Sequence, residues 1–233
     1  MKTTSIKPEN QEDQLVLILT NDNSYSLFRK DIGETYHSKN GAYTESMLVF
    51  INNGLMPLLS QFNPLAVLEI GFGTGLNALL THAMAPQHLI IYDAIEAYPV
   101  PISMIEKLQY HRLPEMADFA GFFRHLHQAQ WEESVRVNDF FTLTKFKNDF
   151  LNFKFPLNHY HLVYFDAFSM EVQSELWTVD LLEKVFDSLK KGGVLVTYSA
   201  RGPVKRALRE LGFKVERLSG PPGKRHVLRA TKE

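Results

Sequence analysis

The stretch that decides the fold is "VLEIGFGTGLNALL", residues 67–80, a short apolar run that breaks into three alternate glycines and resumes with helical spacing. A strand, a tight loop and a helix in that order are the start of a nucleotide-binding α/β unit. Gly71, Gly73 and Gly75 permit positive φ and let the backbone approach a ligand closely. A dinucleotide fingerprint requires glycine at position 76, where this chain has leucine. Glu69 lies two residues before the first glycine, where its charge would oppose a pyrophosphate but suit a cationic amino acid or sulfonium. A loop-bracing acid is the alternative reading of Glu69.

Outward from the loop, strand-like runs at 66–70, 89–95, 140–146, 161–166, 193–199 and 212–217 alternate with helical runs at 76–85, 99–110, 114–130, 175–190 and 203–211. Such alternation predicts a mostly parallel sheet covered by helices on both faces. Upstream, "QLVLILT" and "YSLFRK" flank the turn residues "NDNS", which predicts a hairpin over 14–30. "AYTESMLVFINNGLMPLLSQF" then reads as an amphipathic helix interrupted near Asn53–Gly54. The expected organisation is one domain over 1–233, with a hairpin and helical extension at 1–62 and a Rossmann-like core at 63–233.

The chain has 233 residues, 45% of them hydrophobic, which suits one domain with a sizeable core. It has no cysteine, so disulfides, thiolate metal sites and a cysteine nucleophile are excluded. No stretch reaches about 18 uninterrupted apolar residues and "MKTTSIKPENQEDQ" has no apolar core, so neither a membrane span nor a signal peptide is expected, and a cytoplasmic location is the default. The net charge is −1 but its distribution is uneven: from Lys190 to Glu233 there are twelve Lys or Arg against three Glu. That region is either a solvated basic face or a surface for an anionic partner.

Ligands of open α/β sheets sit beyond the carboxyl ends of the strands. The second strand ends at Glu96, suited to ribose hydroxyls, and the third leads to Asp149, suited to an adenine amino group, with a surface turn as the alternative for Asp149. Together with the glycine loop, these acids favour S-adenosylmethionine over NAD. The cofactor set is therefore Glu69, Gly71, Gly73, Thr74, Gly75, Asn77, Glu96 and Asp149. The histidines lack partners at ligand spacing, so no metal is expected.

The segments "GETYHSKNGAYTES", "LEIGFGTGLNALLT", "VYFDAFS", "ELWT", "GGVLVTYSARGPVKRAL" and "GPPGKRHVLRA" together resemble the methyltransferase half of the bifunctional enzymes that make 5-methylaminomethyl-2-thiouridine at the tRNA wobble position. The resemblance runs from about Asn23 to Thr231. It implies the seven-stranded class I methyltransferase fold and S-adenosylmethionine-dependent methylation of the amine of 5-aminomethyl-2-thiouridine. The bifunctional members carry an FAD-dependent oxidase domain for which this chain has no room, so a stand-alone methyltransferase acting on tRNA is implied. Asp166 at the end of the fourth strand is the candidate amine ligand and base, with Phe168 as a pocket wall. The other substrate-side candidates are Glu34, Tyr36 and His37 of "GETYHS", Trp177 of "ELWT", and the basic Lys205, Arg206, Lys224 and Arg225. Two positions depart from the family pattern: Met170 where D-A-F-S is usually followed by proline, and His226 where the terminal motif usually has glutamate. Two alternatives share the sheet: an enzyme of small amines, including aminopropyl transfer, and a catalytically silent RNA-binding module.

Overall fold

The computed structural model describes residues 11–233; most of the amino-terminal stretch read above for a signal peptide lies outside the described residues. The hairpin forms as β1 (Leu15–Leu19) and β2 (Tyr25–Arg29), joined by a short third strand, β3 (Glu34–Thr35), in one antiparallel sheet. Its turn is held by Asp22, whose Oδ1 accepts from the Ser24 N–H at 3.1 Å, the local bond that makes Asp and Ser good turn residues.

Helix α1 (Ala42–Ser46) continues into a wider turn over Met47–Leu55 in which the Met56 N–H reaches back five residues to Ile51 O. A 3₁₀ turn, Met56–Leu58, follows. The amphipathic face is as expected, with Phe50, Ile51, Leu55 and Leu58 buried. Gly54 marks close approach to the sheet: a Cβ there would lie 2.9 Å from Val196 Cγ2 and 3.2 Å from Leu162 Cδ1.

The main sheet comprises β4 (Leu65–Ile70), β5 (Ile90–Ile95), β6 (Ser134–Asn138), β7 (Phe141–Phe146), β8 (Tyr160–Phe165), β9 (Leu189–Thr197), β10 (Phe213–Ser219) and β11 (His226–Lys232). Their order is β10-β11-β9-β8-β4-β5-β7-β6; the five central strands are parallel, β6 and β11 run antiparallel to them, and β10, paired antiparallel with β11, runs in the direction of the central strands. The expected seven strands are thus eight. The additional edge strand β6, "SVRVN", is short and largely solvent-facing, and it forms because a tight turn at Asp139–Phe140 folds it back onto β7, a tertiary pairing that its own weak pattern does not announce. The helices are α2 (Leu76–Met84), α3 (Ile102–Leu108), α4 (Ala120–Gln128), α5 (Val179–Ser188) and α6 (Gly202–Glu210).

Alternation along β4 divides the core. Leu65 and Val67 point into one layer with Tyr92, Leu143, Tyr164 and the residues of α2 and α4. Ala66, Leu68 and Ile70 point into the other with Phe165, Leu182, Val185 and Leu208. Each large apolar side chain fully withdrawn from water contributes about 1.5–3 kcal/mol, so both layers stabilise the sheet heavily. Glu69 has the parity of Leu65 and Val67 and is therefore directed into the first layer.

Candidate active site

The chain leaves β4 toward β5 on one side while β8 pairs on the other, so a crevice opens at their carboxyl ends. There Asp166 N–H donates to Ile70 O at 3.0 Å and Gly71 N–H to Ile95 O at 3.0 Å, which ties three strand ends together. A cavity of about 240 Å³ lies above them. It is lined by Gly71 to Thr74, Leu76, Asn77, Glu96 to Tyr98, Phe150, Asp166 to Phe168, Gln173 and Tyr198, and it is roofed by Arg29, Glu34 to Ser38, Glu45 and Lys224.

Two glycines are required by geometry. Gly71 has φ +92° and a Cβ there would stand 2.6 Å from Asp166 O; Gly73 has φ +49° and a Cβ would stand 3.0 Å from Tyr36 Cδ1. Glu96 is tied to the backbone through both oxygens, accepting from Gly73 N–H at 3.0 Å and Tyr98 N–H at 2.9 Å. Burial raises its pKa, and those two N–H groups oppose the rise. Thr74 accepts from Tyr110 Oη at 3.1 Å, fixing the far end of the loop.

Asp166 faces the cavity. Burial, with the negative charge of Glu45, pushes its carboxyl up to about 7, while the Asn77 amide and the Lys224 ammonium pull the other way. Lys224 forms an ion pair with Glu45 and lies 3.9 Å from the centre of the Tyr198 ring. Tyr198 Oη donates to Ala167 O at 2.8 Å, so the terminal "GPPGKR" loop, the "YTES" helix and the loop after β8 are joined across the cavity. Opposite, Tyr36 meets Phe168 edge to face at 5.2 Å, and Arg29 lies over Phe168 at 5.8 Å and over Tyr98 at 5.6 Å. Glu34 Oε2 accepts from Ser169 N–H at 3.3 Å. His37 is buried against Ser26 Oγ at 3.0 Å, and burial lowers its pKa to about 4, so it is neutral at physiological pH.

Beside the cavity, and sharing Glu34, Tyr198 and Lys224 with it, runs an open groove of about 780 Å³ lined further by Arg201, Arg217, Arg225, His226, Ser169 and Glu171. Arg201 pairs with Glu171. Among the described residues no group of three or more His, Asp or Glu is placed to hold a metal ion, and no helix is long and apolar enough to cross a membrane.

A family model described as S-adenosyl-L-methionine-dependent methyltransferase matches residues 126–233. Over its carboxyl-terminal residues 126–233 the chain thus matches the S-adenosyl-L-methionine-dependent methyltransferases. This methyltransferase is 31% identical over 219 residues to the tRNA 5-methylaminomethyl-2-thiouridine biosynthesis bifunctional protein MnmC of Paracidovorax citrulli, covering 87% of this chain and 33% of that protein. It is 28% identical over 214 residues to the protein of the same name from Burkholderia multivorans, covering 84% and 32%. The chain thus spans about a third of the length of these curated relatives. Its fold matches the crystal structure of MNMC2 from Aquifex aeolicus with a TM-score of 0.71 at 24% identity, over 97% of this chain and 72% of that one. It also matches spermidine synthase from Thermotoga maritima, with a TM-score of 0.58 at 15% identity, over 94% and 69%. At those identities the two structures speak to the fold alone.

Against the residues singled out in the sequence of this methyltransferase, the structure gathers Gly71, Gly73, Thr74, Asn77, Glu96, Asp166, Phe168, Glu34, Tyr36, His37 and Lys224 around one cavity. Gly75 sits just behind it at the start of α2, with φ +73°. Five residues require correction. Glu69 does not line the cavity: it is 0% exposed, accepting from Asn77 Nδ2 at 2.9 Å and from Tyr92 Oη at 2.8 Å, because its strand parity sends it into the core. Burial holds its carboxyl well above the ordinary range. Asp149 is exposed and caps a 3₁₀ turn by accepting from Leu151 N–H at 3.0 Å; its neighbour Phe150 lines the cavity instead. Trp177 is buried on Phe165 with Nε1 donating to Phe168 O at 2.9 Å, a brace behind the pocket wall. Lys205 and Arg206 lie on α6 outside both the cavity and the groove, whereas Arg225 lines the groove. Arg29, Glu45 and Tyr198 were not singled out. Glu45 and Tyr198 lie inside recognisable motifs, "YTES" and "VTYSARG", but only the folded chain turns them inward. Met170 packs on the second core layer and His226 opens β11 on the groove wall.

Proposed function

We propose that this methyltransferase methylates the primary amine of 5-aminomethyl-2-thiouridine at the tRNA wobble position. The observation that carries the proposal is the place of Asp166, whose carboxyl lines the cavity across from the glycine loop, where burial pushes it up to about 7, and beside an arginine-lined groove that shares Glu34, Tyr198 and Lys224 with that cavity. The names of the curated relatives support the same substrate. The loop fits S-adenosylmethionine: Gly73 leaves room that a Cβ would fill, and Glu96 offers oxygens suited to ribose hydroxyls. Gly71 to Gly75, Asn77 and Glu96 would hold the cofactor, which supplies a methyl group on a cationic sulfur.

The chain's own contribution is to deliver a free amine. An alkyl amine has a pKa near 10.4, so about one in a thousand is neutral at pH 7.4. Asp166 accepts the proton and orients the lone pair, while Phe168 and Tyr36 wall the pocket and keep water out. Arg201, Arg217 and Arg225 take the phosphates flanking the nucleotide that enters the cavity. The test is incubation of the purified protein with S-adenosylmethionine and tRNA carrying the aminomethyl group, followed by mass analysis of the nucleosides. A gain of one methyl group at the wobble uridine is expected. Absence of that product, or transfer to putrescine or spermidine instead, overturns the assignment.

A further inference from the structure

Beneath the cavity one side-chain amide touches two carboxyl groups. Asn77 is 3% exposed, and its Nδ2 lies 2.9 Å from Glu69 Oε1 and 2.9 Å from Asp166 Oδ2. An amide nitrogen carries two hydrogens, so one group donates both bonds, and a flipped amide donates neither. Glu69 is held from its other oxygen by Tyr92 Oη at 2.8 Å, and the backbone oxygen of Asn77 accepts from Thr81 Oγ1 at 2.7 Å. A chain of hydrogen bonds therefore runs from the closed core through Glu69 and Asn77 to one oxygen of Asp166.

The other end of the same amide is unsatisfied. Asn77 Oδ1 is buried with no hydrogen-bond partner, although the residue lines the cavity. A buried carbonyl oxygen without a donor is costly, and that cost is recovered when a ligand brings an N–H.

We propose that Asn77 is a positioning residue: its Nδ2 holds Asp166 by Oδ2, leaving Oδ1 of that carboxyl for the substrate amine, while its own Oδ1 accepts a hydrogen bond from a ligand ammonium. The inference rests on the amine-methyltransferase reading of this site. The ammonium belongs either to the substrate or to the amino-acid end of the cofactor, and the two sources are separable. With Asn77 in place, Asp166 cannot turn away from the reacting nitrogen without leaving a buried donor bare. The amide also favours the ionised form of Asp166, the form that accepts a proton.

The experiment compares wild type with Asn77→Ala and Asn77→Ser. The titration of Asp166 is followed by NMR of ¹³C-carboxyl-labelled aspartate, with the resonance assigned by Asp166→Asn. In Asn77→Ala the midpoint moves up by about one pH unit, the acid limb of the pH–rate profile moves with it, and kcat at pH 7 falls by roughly thirtyfold. Asn77→Ser retains one donor and recovers part of each effect; it carries the same comparison if the alanine variant fails to fold. Calorimetry with S-adenosylmethionine and with methylthioadenosine, which has no ammonium, assigns Oδ1. A loss for the first ligand alone places the cofactor ammonium there; equal affinities together with a raised KM for RNA place the substrate amine. An Asp166 midpoint that coincides in all three proteins overturns the proposal. The NMR measurement needs no RNA, so it decides the role of Asn77 even if the tRNA assignment fails.

Discussion

Replacing Asp166 by asparagine isolates proton removal from shape. The new amide oxygen still accepts from Asn77 Nδ2, which stands 2.9 Å from the native carboxyl, so the local structure is preserved while the proton acceptor is lost. With a pKa of about 7, half of the native Asp166 is ionised at pH 7, and the wild-type rate should rise with pH and flatten above neutrality. The variant depends on amine already free in solution, roughly one part in a few thousand at pH 7, and gains tenfold for each pH unit. A general base in such a position is worth about a hundredfold, or about 2.7 kcal/mol, at pH 7. From those two profiles the deficit shrinks to about twentyfold at pH 8 and about twofold at pH 9. The assay is single-turnover methyl transfer to aminomethyl-bearing tRNA with saturating S-adenosylmethionine, with calorimetric cofactor affinity expected to stay within about threefold of wild type. Near-normal rates at pH 7, or a deficit that does not close as pH rises, would refute the role of Asp166 as base.

Further outcomes are expected. Gly73→Val places a β-branched side chain at φ +49° against Tyr36 and should abolish cofactor binding in calorimetry. Glu96→Ala removes a carboxylate that fixes the Gly73 and Tyr98 amides and should weaken the cofactor by about 1.5–3 kcal/mol, read as its dissociation constant. Glu69→Leu strands the Asn77 and Tyr92 donors and should cost about 2–4 kcal/mol in urea unfolding. The folded-state pKa of Glu69 lies above its ordinary 4.5, so its contribution to stability is fully present below that value and is lost as pH rises toward the folded pKa; Glu69→Gln should remove this slope. Arg201→Ala, Arg217→Ala and Arg225→Ala should each lower the salt slope of tRNA binding by about one in fluorescence anisotropy, whereas Lys205→Ala and Arg206→Ala should leave it unchanged.

The sequence by itself determined the elements whose signal is local. The glycine loop, the apolar strands on either side of it, the hairpin turn at "NDNS" and the amphipathic segments could be located from periodicity, because side-chain period and backbone φ are properties of neighbours in the chain. The positions of Asp166 and Glu96, each directly after an apolar strand, are legible because an acid there lies at the sheet's carboxyl edge. What only the tertiary structure decided was direction. Glu69 and Glu96 both close an apolar strand beside the glycine loop, yet strand parity buries the first in the core and the turn after β5 brings the second to the cavity. Lys224 joins Glu45 across 179 residues, a contact that no spacing encodes. Lys205 and Arg225 belong to the same basic region, but α6 carries one away from the groove while the loop before β11 carries the other into it. Composition gives charge to a region; packing alone assigns that charge to a surface.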